Sequence, residues 1–420
     1  TCAATGCKDP GNGYVNAGYY AQWAVWDREY NPNSLPFASI NDIIYAFIGF
    51  DKDTGNLASL DGNADSWSIP VVSKAILQNP YMHAHLSFGG WTNNQVNTAP
   101  MFLKLSSSQA SMQNFATQAV ALMKKTKFSG LDIDWEWWSE PEQAPAKQML
   151  SFYKILRAEL DKAGATDGKH YTLTIAVNAG VDRVNAMQDP SNPNSVADYW
   201  KQVNTLVDQI NLMSYDYHGA YDNSKPAYFH ANYDFANIPL DKQADVGQTS
   251  GWSIKAVVAA YQANGITAKK LVLGLPAYAR TMSVSGGTNG GLLQAVSGAG
   301  FGDYEAGVLD YKCLVNPVAD KANGCKNVSA GLSDLVFYNS KATGTALSAF
   351  NTYGRDAMQP WAYSPSTNTF VTFDDTWSVT AKTKAAKDSG LGGMMFWELD
   401  GDSNTPQLSL IKAVKDELNR

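Results

Sequence analysis

The chain is short of charge. Of its 420 residues only 17% are Asp, Glu, Lys or Arg, and the formal net charge is −7. The basic residues are scattered along the sequence, so no basic stripe exists for a phosphate backbone or an anionic surface. We therefore expect neither a nucleic acid nor a membrane as partner. No apolar run approaches the roughly 20 residues that a bilayer span requires. Internal repeats and low-complexity tracts are missing too, which excludes a solenoid or a disordered linker array. Cysteine is scarce: Cys2, Cys7, Cys313 and Cys325 fall in two sequence-close pairs. Three pairings are possible, and Cys2–Cys7 with Cys313–Cys325 is the local one. With no histidine near either pair, a zinc site is disfavoured. The sequence opens at Thr1 without a signal segment and carries a sequon, Asn327-Val-Ser329. Together with the cysteines, this leads us to expect a secreted, extracellular protein. We expect a monomer that needs neither metal nor cofactor.

Apolar material is plentiful. Hydrophobic residues make up 45% of the chain and aromatics 12%, with 12 tryptophans. An aromatic core accounts for many of these, and the rest matter if they gather at one mouth of the fold. Short β-rich runs alternate with helical patterns from end to end. The runs are residues 18–23, 43–50, 82–91, 130–138, 171–180, 209–219, 271–280 and 392–402. Between the third and fourth, Met112, Phe115, Ala116, Ala119, Leu122 and Met123 recur at helical spacing, with Lys124 and Lys125 at the C-terminal end. Residues 147–162, 252–264, 376–388 and 407–418 show similar patterns. Eight βα units predict a TIM (β/α)8 barrel, with catalytic residues at the C-terminal ends of its strands. The stretch from Thr281 to Gln359 breaks the rhythm, opening on a Gly-rich loop and holding two of the cysteines. It predicts a small α+β insertion between strands 7 and 8. The chain then divides into 1–280 (strands 1–7), 281–359 (insertion) and 360–420 (strand 8 and a C-terminal helix).

The run SGLDIDWEWW, residues 129–138, places Asp132, Asp134 and Glu136 at every second position, with Leu131, Ile133 and Trp135 between them. Strand side chains alternate faces, so the acids share one face. On a barrel strand that face is the interior, where same-face neighbours lie about 7 Å apart. Three carboxyls so placed cannot all ionise cheaply, and at least one must titrate high. Glu136, nearest the mouth, is the candidate proton donor. Glycoside cleavage is one use of such a donor, but it usually needs a second carboxylate. Asp216 and Glu398 are candidates by position alone.

The stretch SGLDIDWE resembles the signature of glycoside hydrolase family 18, the chitinases, D-G-x-D-x-D-x-E. Three further segments match in order. Ser87-Phe-Gly89-Gly90 is similar to the family's S-x-G-G, and Met213-Ser-Tyr215-Asp216 to its M-x-Y-D. Gly393-Met-Met-Phe-Trp397 resembles the eighth-strand segment that carries a sugar-stacking tryptophan. The resemblance spans the whole barrel. It implies hydrolysis of chitin and chitin oligosaccharides by a substrate-assisted route, an exception to the two-carboxylate rule. Glu136 would protonate the scissile oxygen, and Asp134 would hold the acetamido N–H. Tyr215 would orient the acetamido carbonyl and Asp216 would bind the distorted sugar, while Asp132, assisted by Ser87, would tune Asp134. Trp397 would floor the reacting sugar. Tyr19, Phe47, Trp91, Met213, Tyr278 and Arg280 match positions lining the family's cleft, and Trp137 and Trp138 extend the stacking surface. Ser129 departs from the signature, whose first residue is Asp, and puts the tuning of Asp132 in question.

Trp361 and Tyr363 follow the insertion and are expected in the cleft wall. His83 and His85 alternate on one face without a third metal ligand, and His218 reads as a local hydrogen-bonding residue. Two rivals remain. An endo-β-N-acetylglucosaminidase acting on protein-linked glycans shares the acid motif but usually lacks such an insertion. A chitinase-like lectin commonly loses the terminal Glu, which is present here as Glu136.

Overall fold

The structure is a computed structural model describing residues 7–137, 144–316, 324–325 and 330–420. Cys2 (and so its pairing with Cys7), Trp138 and the sequon at Asn327 lie outside the described residues. Eight strands form the barrel: β1 (Val15–Ala21), β2 (Asp42–Ala46), β3 (His83–Gly89), β4 (Gly130–Asp134), β5 (Thr172–Asn178), β6 (Gln209–Met213), β7 (Leu271–Pro276) and β8 (Gly393–Trp397). Each pairs in parallel with its sequence neighbours, and β8 closes on β1 through Val15 opposite Gly393. Helices cover the outside. This is the TIM barrel that the eight βα units predict.

Alternation along the strands sorts side chains into two cores. Leu131, Ile133 and Trp135 point outward and pack with Phe115, Phe152 and Leu156 of the surrounding helices. Ala17, Tyr19, Ile44, Phe47, Tyr215 and Met395 form a separate cluster inside. The helix Gln109–Thr126 illustrates how the sequence builds the outer layer. The Ser108 side chain accepts from Ser111 N–H as its cap, Met112, Phe115, Ala116, Ala119 and Met123 are buried, and Lys124 and Lys125 close its last turn. Phe115 is fully inaccessible, so its truncation to Ala would cost about 3–5 kcal/mol.

Between β7 and β8 the chain builds an antiparallel sheet from Tyr278–Val284, Val296–Ala299, Val308–Asp310, Val336–Tyr338, Trp361–Ser364 and Thr369–Thr372. The run 271–280, which reads as one strand, divides after Pro276: Ala277 N–H donates to the Trp397 carbonyl, and Tyr278 opens the new sheet. The sheet thus begins before Thr281 and continues past Gln359. Trp361 and Tyr363 are not in the cleft wall. Both are buried in this sheet's own core with Met282, Phe350 and Phe370, and Trp361 Nε1 donates to the Asn289 carbonyl at 3.1 Å. Cys313 and Cys325 are joined by a disulfide. No described helix is long and apolar enough to cross a membrane.

Candidate active site

The C-terminal end of the barrel opens into a cavity of about 660 Å³, lined by residues from β1, β4, β5, β6 and β8, from the loops after the strands and from the first strand of the insertion sheet. Strand register builds its floor. Asp132 on β4 lies opposite Ser87 on β3 and Thr174 on β5. The carboxylate therefore accepts from Ser87 Oγ at 2.7 Å and Thr174 Oγ1 at 2.6 Å, and from Tyr19 on β1 at 3.0 Å. Burial raises the pKa of Asp132, while these three hydroxyls and His85 oppose the rise. Ser129, the departure from the signature, donates from its hydroxyl to nothing in this group. Its Oγ accepts from Ala84 N–H at 3.1 Å, below the acids.

One step up the same face is Asp134, and one further is Glu136. Burial, then the neighbouring Glu136 and Asp132 charges, push Asp134 well above the usual carboxylate range. Burial and the Asp216 charge push Glu136 up to about 7, against the pull of Arg183 and a hydrogen bond shared with Asp134. The pair holds a proton between its carboxyls near neutral pH, as general-acid chemistry requires. The glycine pair at the end of β3 makes room for it. Gly89 and Gly90 have φ of 114° and 81°, where side-chain-bearing residues are strained. A Cβ on Gly89 would lie 2.0 Å from the Asp134 carbonyl oxygen, and one on Gly90 would lie 2.5 Å from the Phe47 ring.

Tyr215 and Asp216 follow β6. Tyr215 lines the cavity, as does Met213. Asp216 stands in the wall with 39% of its side chain accessible. Burial opposes its charge, but Arg280 prevails and holds the carboxyl well below the usual range. Arg280 Nε lies 2.7 Å from Oδ1, and the Tyr278 hydroxyl donates to the same oxygen at 2.5 Å. Tyr278 does not reach the cavity lining; it acts behind Asp216. Both partners come from the first strand of the insertion sheet.

Aromatic rings close the other side. Trp397 stacks on Phe47 with centroids 5.9 Å apart and packs tilted against Tyr19 at 5.3 Å and Trp23 at 6.1 Å. Trp91 is 51% exposed at the rim. Trp137 is buried, donates from Nε1 to the Arg183 carbonyl at 3.1 Å, and still lines the cavity. Trp23, Arg183, Tyr221 and Trp252 also line it and were missed by sequence reasoning. Trp23 follows directly from β1, so the strand-end rule could have found it. Arg183 comes from the short helix Val181–Ala186 after β5, and Tyr221 and Trp252 from separate loops; none carries a periodic signal.

Glu398 is not a second carboxylate of this site. It faces away from the cavity, buried in a cluster with Asp400, Asp310 and Arg28. His85 is buried between Asp42 at 2.8 Å and Thr172 at 2.6 Å. His218 is buried with Nε2 2.9 Å from the Val246 carbonyl, and burial pushes it down to about 4. His83 is exposed. Among the described residues Asp303, Asp310 and Cys313 have metal-ligand spacing, but the Cys313 sulfur is taken by the disulfide.

A barrel whose mouth holds a shared-proton carboxyl pair beside a stacked aromatic floor has the makings of a glycoside hydrolase. The chain belongs to the glycosyl hydrolases family 18, whose family model matches residues 15–402. It is 30% identical over 412 residues to Chitinase 1 of Aphanocladium album, covering 94% of this chain and 83% of that protein. It is also 30% identical over 428 residues to Endochitinase 1 of Metarhizium robertsii, covering 97% and 85%. In fold it is similar to a class V chitinase from Nicotiana tobaccum solved in complex with NAG4, with a TM-score of 0.74, 20% identity and coverage of 97% and 99%.

Proposed function

We propose that the protein is a chitinase that hydrolyses β-1,4-linked N-acetylglucosamine polymers with retention of configuration, using the substrate's own acetamido group as nucleophile. One observation carries the reading. Among the described residues, the carboxyls lining the cavity are Asp134, Glu136 and Asp216, and Asp216 is already committed to Arg280 and Tyr278. Asp134 interacts with Glu136 on the same face, so no carboxyl of the described wall stands apart from the proton donor as a separate nucleophile or inverting base. The names of the fungal relatives and the NAG4 complex of the tobacco chitinase support chitin as the substrate.

In this mechanism the sugar lies on Trp397, its acetamido group pointing down towards Asp134 and Tyr215. Glu136 gives its proton to the glycosidic oxygen as the bond to the anomeric carbon breaks. The acetamido oxygen forms a new bond to that carbon, giving an oxazolinium ion. Asp134 accepts the acetamido N–H and balances the positive charge, with Asp132 adjusting its proton demand from below. The Tyr215 hydroxyl orients the acetamido oxygen. Water then attacks the anomeric carbon, Glu136 takes back a proton, and the acetamido group is released intact. We further propose secretion of the protein as a monomer; the Cys313–Cys325 disulfide fits an oxidising compartment.

The test is proton NMR of the first products released from a chitin pentasaccharide, recorded before mutarotation. Initial β-anomer is expected. Initial α-anomer would mean inversion and would overturn the mechanism. Binding without cleavage would replace the enzyme with a lectin.

A further inference from the structure

The segment 227–232 is neither helix nor strand, yet Ala227, Tyr228, Phe229, His230, Ala231 and Asn232 are all inaccessible to solvent. Irregular chain usually stays at the surface because buried peptide groups need partners. Here the insertion and the helix after it supply them. His230 N–H donates to Thr372 Oγ1 at 3.1 Å, and the Ala231 carbonyl accepts from Lys382 Nζ at 2.6 Å. Lys382 is itself paired with Asp374 at 2.7 Å, with both side chains fully buried. On the cleft side, Tyr217 N–H donates to the His230 carbonyl at 3.0 Å. The segment is clamped between the insertion and the β6 loop, and the side chain it presents to Asp216 is His230.

Asp216 needs such a support. Its φ is 62°, in the left-handed region, which is unfavourable for a residue with a side chain unless the surroundings hold it there. Its N–H donates to His230 Nδ1 at 3.2 Å, and the same nitrogen lies 3.7 Å from Oδ1. A ring nitrogen that accepts an N–H carries no proton of its own, so the imidazole proton sits on Nε2. Nε2 has no partner among the described residues. The charged and titratable groups around the ring include Asp216 and His218 from the β6 loop, Tyr278 and Arg280 from the first insertion strand, and Asp374 beyond the last. Burial, helped by Arg280, pushes the ring's pKa down against Asp216 and Asp374.

We propose that His230 is a positioning residue, whose Nδ1 fixes the Asp216 backbone in the turn that aims the carboxylate at Tyr278, Arg280 and the bound sugar. The insertion thereby takes hold of the site from behind as well as through Arg280. This rests on the part given to Asp216 in the reaction above.

The experiment compares kcat and KM on a chitin pentasaccharide for the wild type, His230→Leu, His230→Asn and Asp216→Asn, each corrected for folded fraction. Histidine 15N–1H spectra of the wild type, assigned with His230→Asn, report the tautomer. His230→Leu is expected to lower kcat at least 30-fold while KM moves less than threefold. His230→Asn keeps an acceptor near the Nδ1 position and is expected to recover kcat to within fivefold of the wild type. The His230 ring should show a neutral, Nε2-protonated signature, a readout that does not depend on the reaction. A merely structural histidine would lower Tm in both variants and leave kcat per folded molecule unchanged, which overturns the proposal. A proton on Nδ1 overturns it too. If Asp216→Asn alone retains full kcat, the part given to Asp216 fails and takes this proposal with it. If Asp216→Asn loses kcat while His230→Leu does not, only the positioning role falls.

Discussion

Two groups of buried acids stand at the loop end of the barrel. Asp134 and Glu136 neighbour each other on β4 and the turn after it; Glu398 and Asp400 do so just beyond β8. In both, burial raises the carboxyls first, and a neighbouring acid adds to it: Glu136 on Asp134, Asp216 on Glu136, Asp400 on Glu398 and Asp310 on Asp400. What separates them is access and company. Glu136 opens on the cavity, with an aromatic floor opposite. Glu398 and Asp400 are sealed in with Arg28, whose Nε lies 2.9 Å from Asp310 and 3.2 Å from Asp400, and whose guanidinium covers the Tyr304 ring at 4.2 Å. A displaced pKa marks a low-dielectric acid cluster. It marks a working site only where substrate can reach the proton.

Breaking the comparison at its most sensitive point gives the largest effect. Glu136→Gln is expected to lower kcat by about 10²–10⁴, the range for loss of a positioned general acid, while oligosaccharide binding persists. Glu398→Gln should leave kcat within tenfold, and steady-state kinetics on the same pentasaccharide compares them. If the two substitutions cost the same, access is not the difference. The converse holds for stability. Arg28→Ala leaves Asp310 and Asp400 buried without their cation and is expected to cost about 3–5 kcal/mol in denaturant unfolding.

The pH dependence sharpens the contrast. Glu136 acts when protonated and titrates at about 7, so kcat should fall as pH rises through that value and should follow the same curve in Glu398→Gln. The smallest effect concerns the folded state of the resting enzyme. The carboxyl of Glu136 is raised from an ordinary 4.5 to about 7. Its contribution to stability is thus fully present below 4.5 and lost as pH rises through 7. Glu136→Gln removes the ionisable group, and at pH 8 it should be more stable than the wild type by on the order of 1–3 kcal/mol. Thermal unfolding at pH 8 and pH 4 measures this; an advantage that persists unchanged at pH 4 would point to packing instead of charge.

The barrel was legible because each buried parallel strand leaves a compact apolar run, and the three acids because a single strand spaces them. Ser87, Gly89 and Gly90 were legible only through the resemblance of their segment to the family's S-x-G-G. Sequence reasoning failed where the deciding fact was three-dimensional. Nothing local distinguishes Tyr278 as a turn into a second sheet, since its β propensity continues that of β7. Trp361 and Tyr363 follow the Gly-rich excursion at a position suited to a wall, but the inward face of their strand belongs to the insertion's own core. Glu398 could have been placed correctly. Met395 and Trp397 face inward on β8, so the next residue points the other way by the period of two. Arg183, on the short helix Val181–Ala186, and Trp252, on a loop, reach the cavity from segments that share neither spacing nor pattern with the motifs.

The pairing of β1 with β8 also has a temporal meaning. As the chain is synthesised, Asp132, Asp134 and Glu136 emerge long before Arg280, and Trp397 emerges later still, on the strand that closes the barrel. A nascent chain therefore carries the three acids of this run and most of the cleft aromatics before it has the ring that completes the floor. In the folded protein the cavity is therefore complete only with the last strand docked against the first, which sets Trp397 across from the acids.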